Sequence, residues 1–316
     1  MEMTDPTTAG GVVVTYHPDA AALENLTHMV AECGRLIIVD NGSSPETQQQ
    51  LAKVAGGELI AFADNRGVAE ALNTGARRAM IQGIQWLVTF DQDSRPVAGM
   101  VAALLATAQR EPGAAVVAPR ILEQGGTGPA YRWVRRNPRW PGLFQRVYCE
   151  ANDLPAVTMA VTSGSLVELA QWQELGGFDE AMFIDYVDVD YCLKVLRSGR
   201  SIAVSAEARL LHELGARRSR EWWGHDFRPT NHAAFRHYYM ARNRVRIWRR
   251  HAVAVPHWAI FDFCFASYNA LRIVLLESHK RAKVKALILG MWDGLRGRSG
   301  CCPVGRWQVF QSPDSK

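Results

Sequence analysis

Two carboxylates, Asp91 and Asp93, stand one residue apart in the stretch QWLVTFDQDSRP. Alternate residues of an extended chain point the same way, so these acids repel each other unless a cation sits with them. Mg2+ and Mn2+ are hard ions that take one or two carboxylates together with substrate phosphates. The competing reading is a solvated turn or an N-cap ahead of Pro96. A second acidic group, Asp185, Asp188 and Asp190, lies in FIDYVDVDYCLK. A helix starting near Asp185 would place Asp185 and Asp188 on one face and leave Asp190 to pair with Lys194. A carboxylate within about 3 Å of a hydroxyl can serve as a general base. The helix dipole alone would also draw acids to a helix N-terminus. His212, closing RLLH, is either a structural histidine or a metal or phosphate partner.

The elements around these residues alternate. GVVVTY (11–16) and RLIIVDN (35–41) are β-branched runs that predict strands buried on both faces. ELIAFA (58–63) and WLVTF (86–90) predict two more, with helices between them. The order βαβαβαβ predicts a parallel, doubly wound sheet. Ligands of such sheets bind just beyond the carboxyl ends of the strands. That rule gathers four polar loops into one crevice: Thr15-Tyr16-His17, Asp40-Asn41-Gly42, Asn65-Arg66-Gly67 and Asp91-Gln92-Asp93. Farther on, 114–121 predicts a strand, 131–150 a long loop, 156–167 a strand pair or bent strand, and 200–212 a strand. From about Asn231 the pattern is helical and basic.

The 316 residues carry 36 Lys and Arg against 31 Asp and Glu, a formal charge of +5 with much of the arginine between Arg217 and Arg250. That density suits an anionic partner. Six scattered cysteines with no metal-type spacing predict reduced thiols. The polar N-terminus lacks the basic and apolar regions of a signal peptide, so a cytoplasmic chain is expected. The segment PHWAIFDFCFASYNALRIVLL is long enough for a membrane span, but Asp262, Asn269 and Arg272 interrupt it. A buried or interfacial helix is expected instead, followed by basic residues that suit peripheral contact with an anionic membrane face.

Taken together, these stretches resemble the inverting family 2 glycosyltransferases of the GT-A class. The resemblance rests on VVVTYHPD, IIVDNGSS, NRGVAEALNTGARRA, FDQDS, SGSLVELAQWQELGGFDEAMF and FIDYVDVDYCLKVLRSG. It implies a Rossmann-like, mixed but mostly parallel sheet flanked by helices, with a helical C-terminal extension. Residues 1–100 would form the nucleotide-sugar half, 101–230 the acceptor half, and 231–316 the basic extension. It implies Asp188 as the catalytic base with Asp185 as its rival. Thr15, Tyr16, Asp40, Asn41, Asn65, Gly67, Asn73 and Asp91 would hold the nucleotide sugar, with Arg236 and Arg242 clamping phosphate. Asp93, Asp91 and His212 would hold Mg2+ or Mn2+. Trp222 and Trp223 would lie in a loop over the donor.

DQDSRP, FIDYVDVDYCLK, NHAAFRHYYMARN and WDGLRGRSG are similar to segments of bacterial rhamnosyltransferases. The donor so implied is dTDP-L-rhamnose. The acceptor implied is a glycolipid, foremost a mono-rhamnolipid, with O-antigen, lipopolysaccharide or cell-wall polysaccharide synthesis as the alternative. Readings of another class are a nucleic-acid binder, a non-catalytic sugar-nucleotide sensor and a nucleotidyltransferase. The first leaves the four strand-end loops unexplained, and no nucleic-acid partner is expected.

Overall fold

The computed structural model describes residues 9–123, 131–212, 220–222, 225–227, 232–303 and 305. In chain order the first elements are β1 (Ala9–Thr15), α1 (Ala20–Cys33), β2 (Leu36–Asp40), α2 (Pro45–Leu51), β3 (Gly57–Ala61), α3 (Val68–Ile81) and β4 (Trp86–Asp91). There follow β5 (Ser94–Pro96), α4 (Met100–Arg110), β6 (Ala114–Glu123), β7 (Arg132–Arg136), β8 (Phe144–Tyr148), β9 (Leu166–Glu168), α5 (Leu169–Glu174), α6 (Val187–Arg197) and β10 (Ser201–His212). The last are β11 (Arg220–Trp222), β12 (His225–Phe227), α7 (Ala234–His251), α8 (Pro256–Leu276) and α9 (Lys280–Leu295).

Local chemistry sets several of these boundaries. Asp19 accepts a hydrogen bond from Ala22 N at 2.8 Å and starts α1, and Gly34 closes it at φ 66°. Ser44 caps α2, with Pro45 at its first position. Eight strands form one sheet in the order β3-β2-β1-β4-β9-β6-β10-β5. β3, β2, β1 and β4 run parallel, as do β6 and β10. β9 is antiparallel to both β4 and β6, and β5 is antiparallel to β10. The mixed, mostly parallel sheet is therefore present. Val13, Ile38, Phe90 and Val117 from its strands pack with Leu26 and Met29 of α1 and Leu104 of α4 in one buried cluster.

The chain divides into two compact units. The first holds Met1–Arg136, Gln145–Glu180 and Val187–Glu213, and the second holds Asn137–Phe144, Ala181–Tyr186 and Leu214–Lys316. All six cysteines are free, as their spacing predicts. Several expectations need correction. Part of the long loop at 131–150 is the two-stranded sheet of β7 and β8. The stretch 156–167 contributes only the start of β9, because Ala156 at φ 56° and Gly164 at φ 76° break an extended run. α6 starts at Val187, two residues later than the sharing of a face by Asp185 and Asp188 requires. Of the two readings of α8, buried or interfacial, the buried one is not met: 17% of its most apolar 18-residue window is covered. Trp223 lies outside the described residues, as does the side chain of Trp222.

Helix α3 lies close on β1 because position 75 has no side chain. A Cβ on Gly75 would stand 2.2 Å from Val12 Cγ2, and Val12 is fully buried. Glycine inside a helix costs about 1 kcal/mol relative to alanine, so the close approach outweighs propensity here. Gly75→Ala is expected to lower stability by about 1–2 kcal/mol, because overpacking a core costs about 1–3 kcal/mol and better propensity returns part of it. Urea unfolding measures this, and Val12→Ala in the same chain is expected to restore part of the loss.

Candidate active site

The parallel register brings the strand ends level. Thr15 is opposite Asp40, and Val14 is opposite Asp91. Asp40 is fully buried, and a buried carboxylate needs hydrogen-bond donors for its lone pairs. Thr15 Oγ1 donates to Oδ1 at 3.0 Å and Ser43 Oγ donates to the same oxygen at 2.6 Å. Ser43 N and Gln48 Nε2 donate to Oδ2 at 2.8 and 3.1 Å. Four donors occupy the four lone-pair sites. Thr15 and Asp40 thus lock the floor of the crevice.

The loops above this floor are joined side to side. Tyr16 N donates to Gln92 Oε1 at 2.8 Å, and His17 N donates to Ser43 Oγ at 2.8 Å. Asn41 Nδ2 donates to Asn65 Oδ1 at 3.1 Å, and Arg66 N donates to Asn41 Oδ1 at 2.8 Å. Gly67 N donates to Asn65 Oδ1 at 3.0 Å, closing the turn into α3. Gly42, at φ 90°, lets the second loop pass the third: a Cβ there would meet Asp64 C at 2.6 Å. The four loops therefore form one rim at the carboxyl edge of the sheet. Gln92 and Ser43 join these loops and Gln48 supports Asp40 from α2, yet the sequence pattern does not mark them. Ser43 was visible only as one of several turn residues. Gln92 was hidden by its two acidic neighbours.

Asp91 is the last residue of β4, half-buried, and Asp93 is exposed in the turn to β5. The turn is backed by 162–165: Gly164 N donates to Thr89 O at 2.6 Å, Thr89 N donates to Ser165 O at 3.0 Å, and Ser94 Oγ meets Ser163 Oγ. β10 places the main chain of His212 opposite Ser94, one residue from Asp93. The His212 side chain lies outside the described residues. No group of three or more His, Cys, Asp or Glu gathers among the described residues. Two carboxylates are a donor set that suits Mg2+ or Mn2+ completed by phosphate oxygens.

The three acids near α6 have separate partners. Asp185 sits at φ 63° and takes a bidentate ion pair from Arg236, at 2.6 and 3.4 Å. Asp190 is fully buried and pairs with Lys194 at 3.2 Å, the i, i+4 contact expected from the sequence. Lys194 Nζ also donates to Gly177 O at 2.9 Å. Asp188 is half-buried in the first turn of α6, where its Oδ1 accepts from Val189 N at 2.8 Å. Cys192, one turn on, is buried, and burial pushes its thiol up to about 12, with Asp188 and Asp190 adding to the rise. It is an inert thiol at neutral pH.

Three residues expected to bind the nucleotide sugar are committed elsewhere. Asn73 is buried and bridges to Phe178, donating to its carbonyl at 2.9 Å and accepting from its N–H at 2.9 Å; it also donates to Glu180 at 2.8 Å. Arg242 is 2% exposed, and its guanidinium donates to the carbonyls of Gly300 at 2.6 Å and Met182 at 2.9 Å. Arg236 is neutralised by Asp185.

Comparison with known proteins agrees with this geometry. The family described as Glycosyl transferase family 2 matches residues 12–168, which span the rim and the Asp91–Asp93 turn. The chain is 27% identical to a dTDP-rhamnosyl transferase, RfbF, of Shigella flexneri, over 92% of this chain and 96% of that one. It is 25% identical to the N-acetylglucosaminyl-diphospho-decaprenol L-rhamnosyltransferase of Mycobacterium tuberculosis, over 85% and 95%. Among solved structures, S. aureus TarS 1–349 superposes with a TM-score of 0.57 at 12% identity, covering 91% of this chain and 81% of that one. GalNAc-T7, solved with UDP, GalNAc and Mn2+, gives 0.56 at 14% identity, covering 77% and 48%. The rim of strand-end loops, the acidic turn and these matches place the chain among the family 2 glycosyltransferases, with a GT-A fold.

Proposed function

We propose that the chain transfers L-rhamnose from dTDP-L-rhamnose to a hydroxyl of a lipid-linked sugar, with inversion at the anomeric carbon. The observation that carries this reading is the acidic turn Asp91–Asp93 at the end of β4, level with the hydrogen-bonded strand-end loops. The two rhamnosyltransferase relatives, each matched over more than four-fifths of this chain, support the donor. A mono-rhamnolipid acceptor follows from the sequence resemblance. A diphospho-lipid-linked sugar is the second reading, and the name of the mycobacterial relative favours it. Either acceptor would bring the enzyme to a membrane surface.

Asp188 takes the proton of the acceptor hydroxyl, whose oxygen forms the new bond to the anomeric carbon. The bond from that carbon to the diphosphate oxygen breaks on the opposite face, and dTDP leaves with the electron pair. Arg236 engages both oxygens of Asp185 in an ion pair, and Asp190 is buried against Lys194. Asp93 and Asp91 would hold Mg2+ or Mn2+, which when bound offsets the charge that develops on the diphosphate. Asn41, Asn65, Gly67 and the exposed Tyr16 remain the groups for the nucleoside and ribose. Asp40 supports them from below.

Incubation with dTDP-rhamnose, UDP-sugars and GDP-sugars, each with both acceptor classes, is expected to release dTDP alone. Failure of dTDP-rhamnose with every lipid-linked acceptor overturns the reading, and release of pyrophosphate in its place identifies a nucleotidyltransferase. Asp188→Asn is expected to lower kcat by roughly 10²–10⁴-fold, the range for loss of a general base, while Asp185→Asn keeps turnover of the wild-type order. The opposite ranking would make Asp185 the base. EDTA and Asp93→Ala are each expected to stop turnover. Added Mg2+ or Mn2+ restores only the EDTA-treated enzyme. Full activity in EDTA would remove the metal from the scheme.

A further inference from the structure

Asn73 stands in the second turn of α3, the helix whose entry, Asn65 to Gly67, belongs to the rim. It is 4% exposed, and its amide is committed. Nδ2 donates to Phe178 O at 2.9 Å and to Glu180 Oε1 at 2.8 Å, and Oδ1 accepts from Phe178 N at 2.9 Å. Both amide hydrogens are used, so a ligand could take one only by breaking a bond already made. A side-chain amide that pairs with both backbone groups of one residue fixes that residue in position and in orientation.

The packing around this contact is close. Gly177, at φ 67°, brings its backbone against the Asn73 amide, and a Cβ there would stand 2.8 Å from Asn73 Oδ1 and 2.8 Å from Trp172 Cζ2. Helix α3 is itself seated on β1 through Gly75 and Val12. The turn at Gly177 and Phe178 is therefore tied to a helix that is fixed on the sheet.

The same turn holds α6. Lys194 Nζ donates to Gly177 O at 2.9 Å and pairs with the fully buried Asp190 at 3.2 Å. Removing one partner of a buried ion pair is strongly unfavourable, which keeps Lys194 in this place. The buried rings of Phe178 and Tyr191 meet with centroids 4.9 Å apart. Helix α6 is thus held at residues 190, 191 and 194, and Asp188 lies two residues before the first of these. Within the first unit, Asn73 connects the helix that begins at the rim to the helix that carries Asp188.

We propose that Asn73 and Lys194 are positioning residues for Asp188. Through the turn at Gly177 and Phe178 they fix the first turn of α6 against α3, and so set the distance from the base to the rim where the sugar nucleotide binds. The role rests on Asp188 as the base, and neither residue touches donor or acceptor. Misplacing a reacting group by about 1 Å can cost on the order of 10²-fold in rate, so slack in this turn falls on kcat and not on KM for the donor.

Three variants of the full chain test this: Asn73→Ala, the pair Lys194→Met with Asp190→Asn, and Asp188→Asn as reference. The paired change removes the cation and the buried carboxylate together, so no charge is left unpaired in the core. Urea unfolding sets conditions in which each variant stays folded. Should Asn73→Ala not fold, the paired variant carries the test. Hydrogen exchange read by mass spectrometry needs no substrate. Exchange in α6 is expected to rise in Asn73→Ala and in the paired variant, while β1, β2 and β4 exchange as in the wild type. With dTDP-rhamnose and whichever of the two acceptor classes turns over, kcat is expected to fall roughly 10–100-fold. KM for dTDP-rhamnose is expected to stay within about twofold of the wild type. Wild-type exchange in α6 of both variants overturns the proposal, whether or not the chain transfers rhamnose. So does raised exchange with kcat unchanged. A higher KM for dTDP-rhamnose with α6 undisturbed returns Asn73 to the nucleotide. Full turnover in Asp188→Asn removes the base, and with it the positioning role, even where exchange shows the tie between α3 and α6 to be real.

Discussion

A carboxylate without water is tolerable only when its oxygens are hydrogen-bonded, and Asp40 places that demand at the centre of the site. Its four donors come from the end of β1, the loop after β2 and the helix α2. Satisfying one buried charge therefore sets the spacing of two strand ends and the entry into a helix. Ser43, a donor to Asp40, also accepts from His17 N, and Gln48 reaches Phe62 O beside β3. The rim of the crevice inherits its geometry from this point. A residue singled out for nucleotide binding thus acts one layer below the surface where binding would occur.

The acids at 185, 188 and 190 show how identical side chains acquire different chemistry. Asp185 lies in a run where Phe183, Asp185 and Tyr186 all have positive φ, a conformation that costs non-glycine residues of order 1 kcal/mol or more each. The second compact unit over-determines that run. Asn243 donates one amide group to the carbonyls of Met182, Ile184 and Asp185 at 2.8–3.0 Å. Arg236 neutralises the Asp185 side chain, and Tyr186 donates to Asp262 at 2.6 Å. The next residue, Val187, begins α6. Asp188 then stands in the first turn of a helix with a backbone N–H on one oxygen.

Much of this was legible in the sequence. Four apolar runs ending in polar clusters marked the parallel half of the sheet: β1, β2 and β4 are buried on both faces, which leaves no other composition open, and β3 is the half-buried edge strand. The Asp190–Lys194 pair followed from helical spacing. What escaped was long-range and geometric. β9 inserts antiparallel between β4 and β6, and three residues carry too little pattern to announce that. Asn73 sits in a nucleotide-family motif but serves Phe178, 105 residues away, and nothing local marks the partner. Arg236 and Arg242 looked like anion ligands because their own partners, Asp185 and a set of backbone carbonyls, are not neighbours in the chain.

Helix α8 makes the same point about charge in apolar segments. Counted along the chain, Asp262 and Arg272 weigh against contact with hydrocarbon. In the fold both turn inward. Asp262 takes Arg244 at 2.9 Å, Trp248 at 2.7 Å and the Tyr186 hydroxyl, while Arg272 pairs with Glu277. The outward face is left to Ile260, Phe263, Tyr268, Leu271 and Val274. The insertion penalty of a charged residue applies to a charge that faces lipid, not to one already paired within protein. Asp262 and Arg272 are thus attachments that hold α8 to its unit, and they leave its outward face mostly apolar.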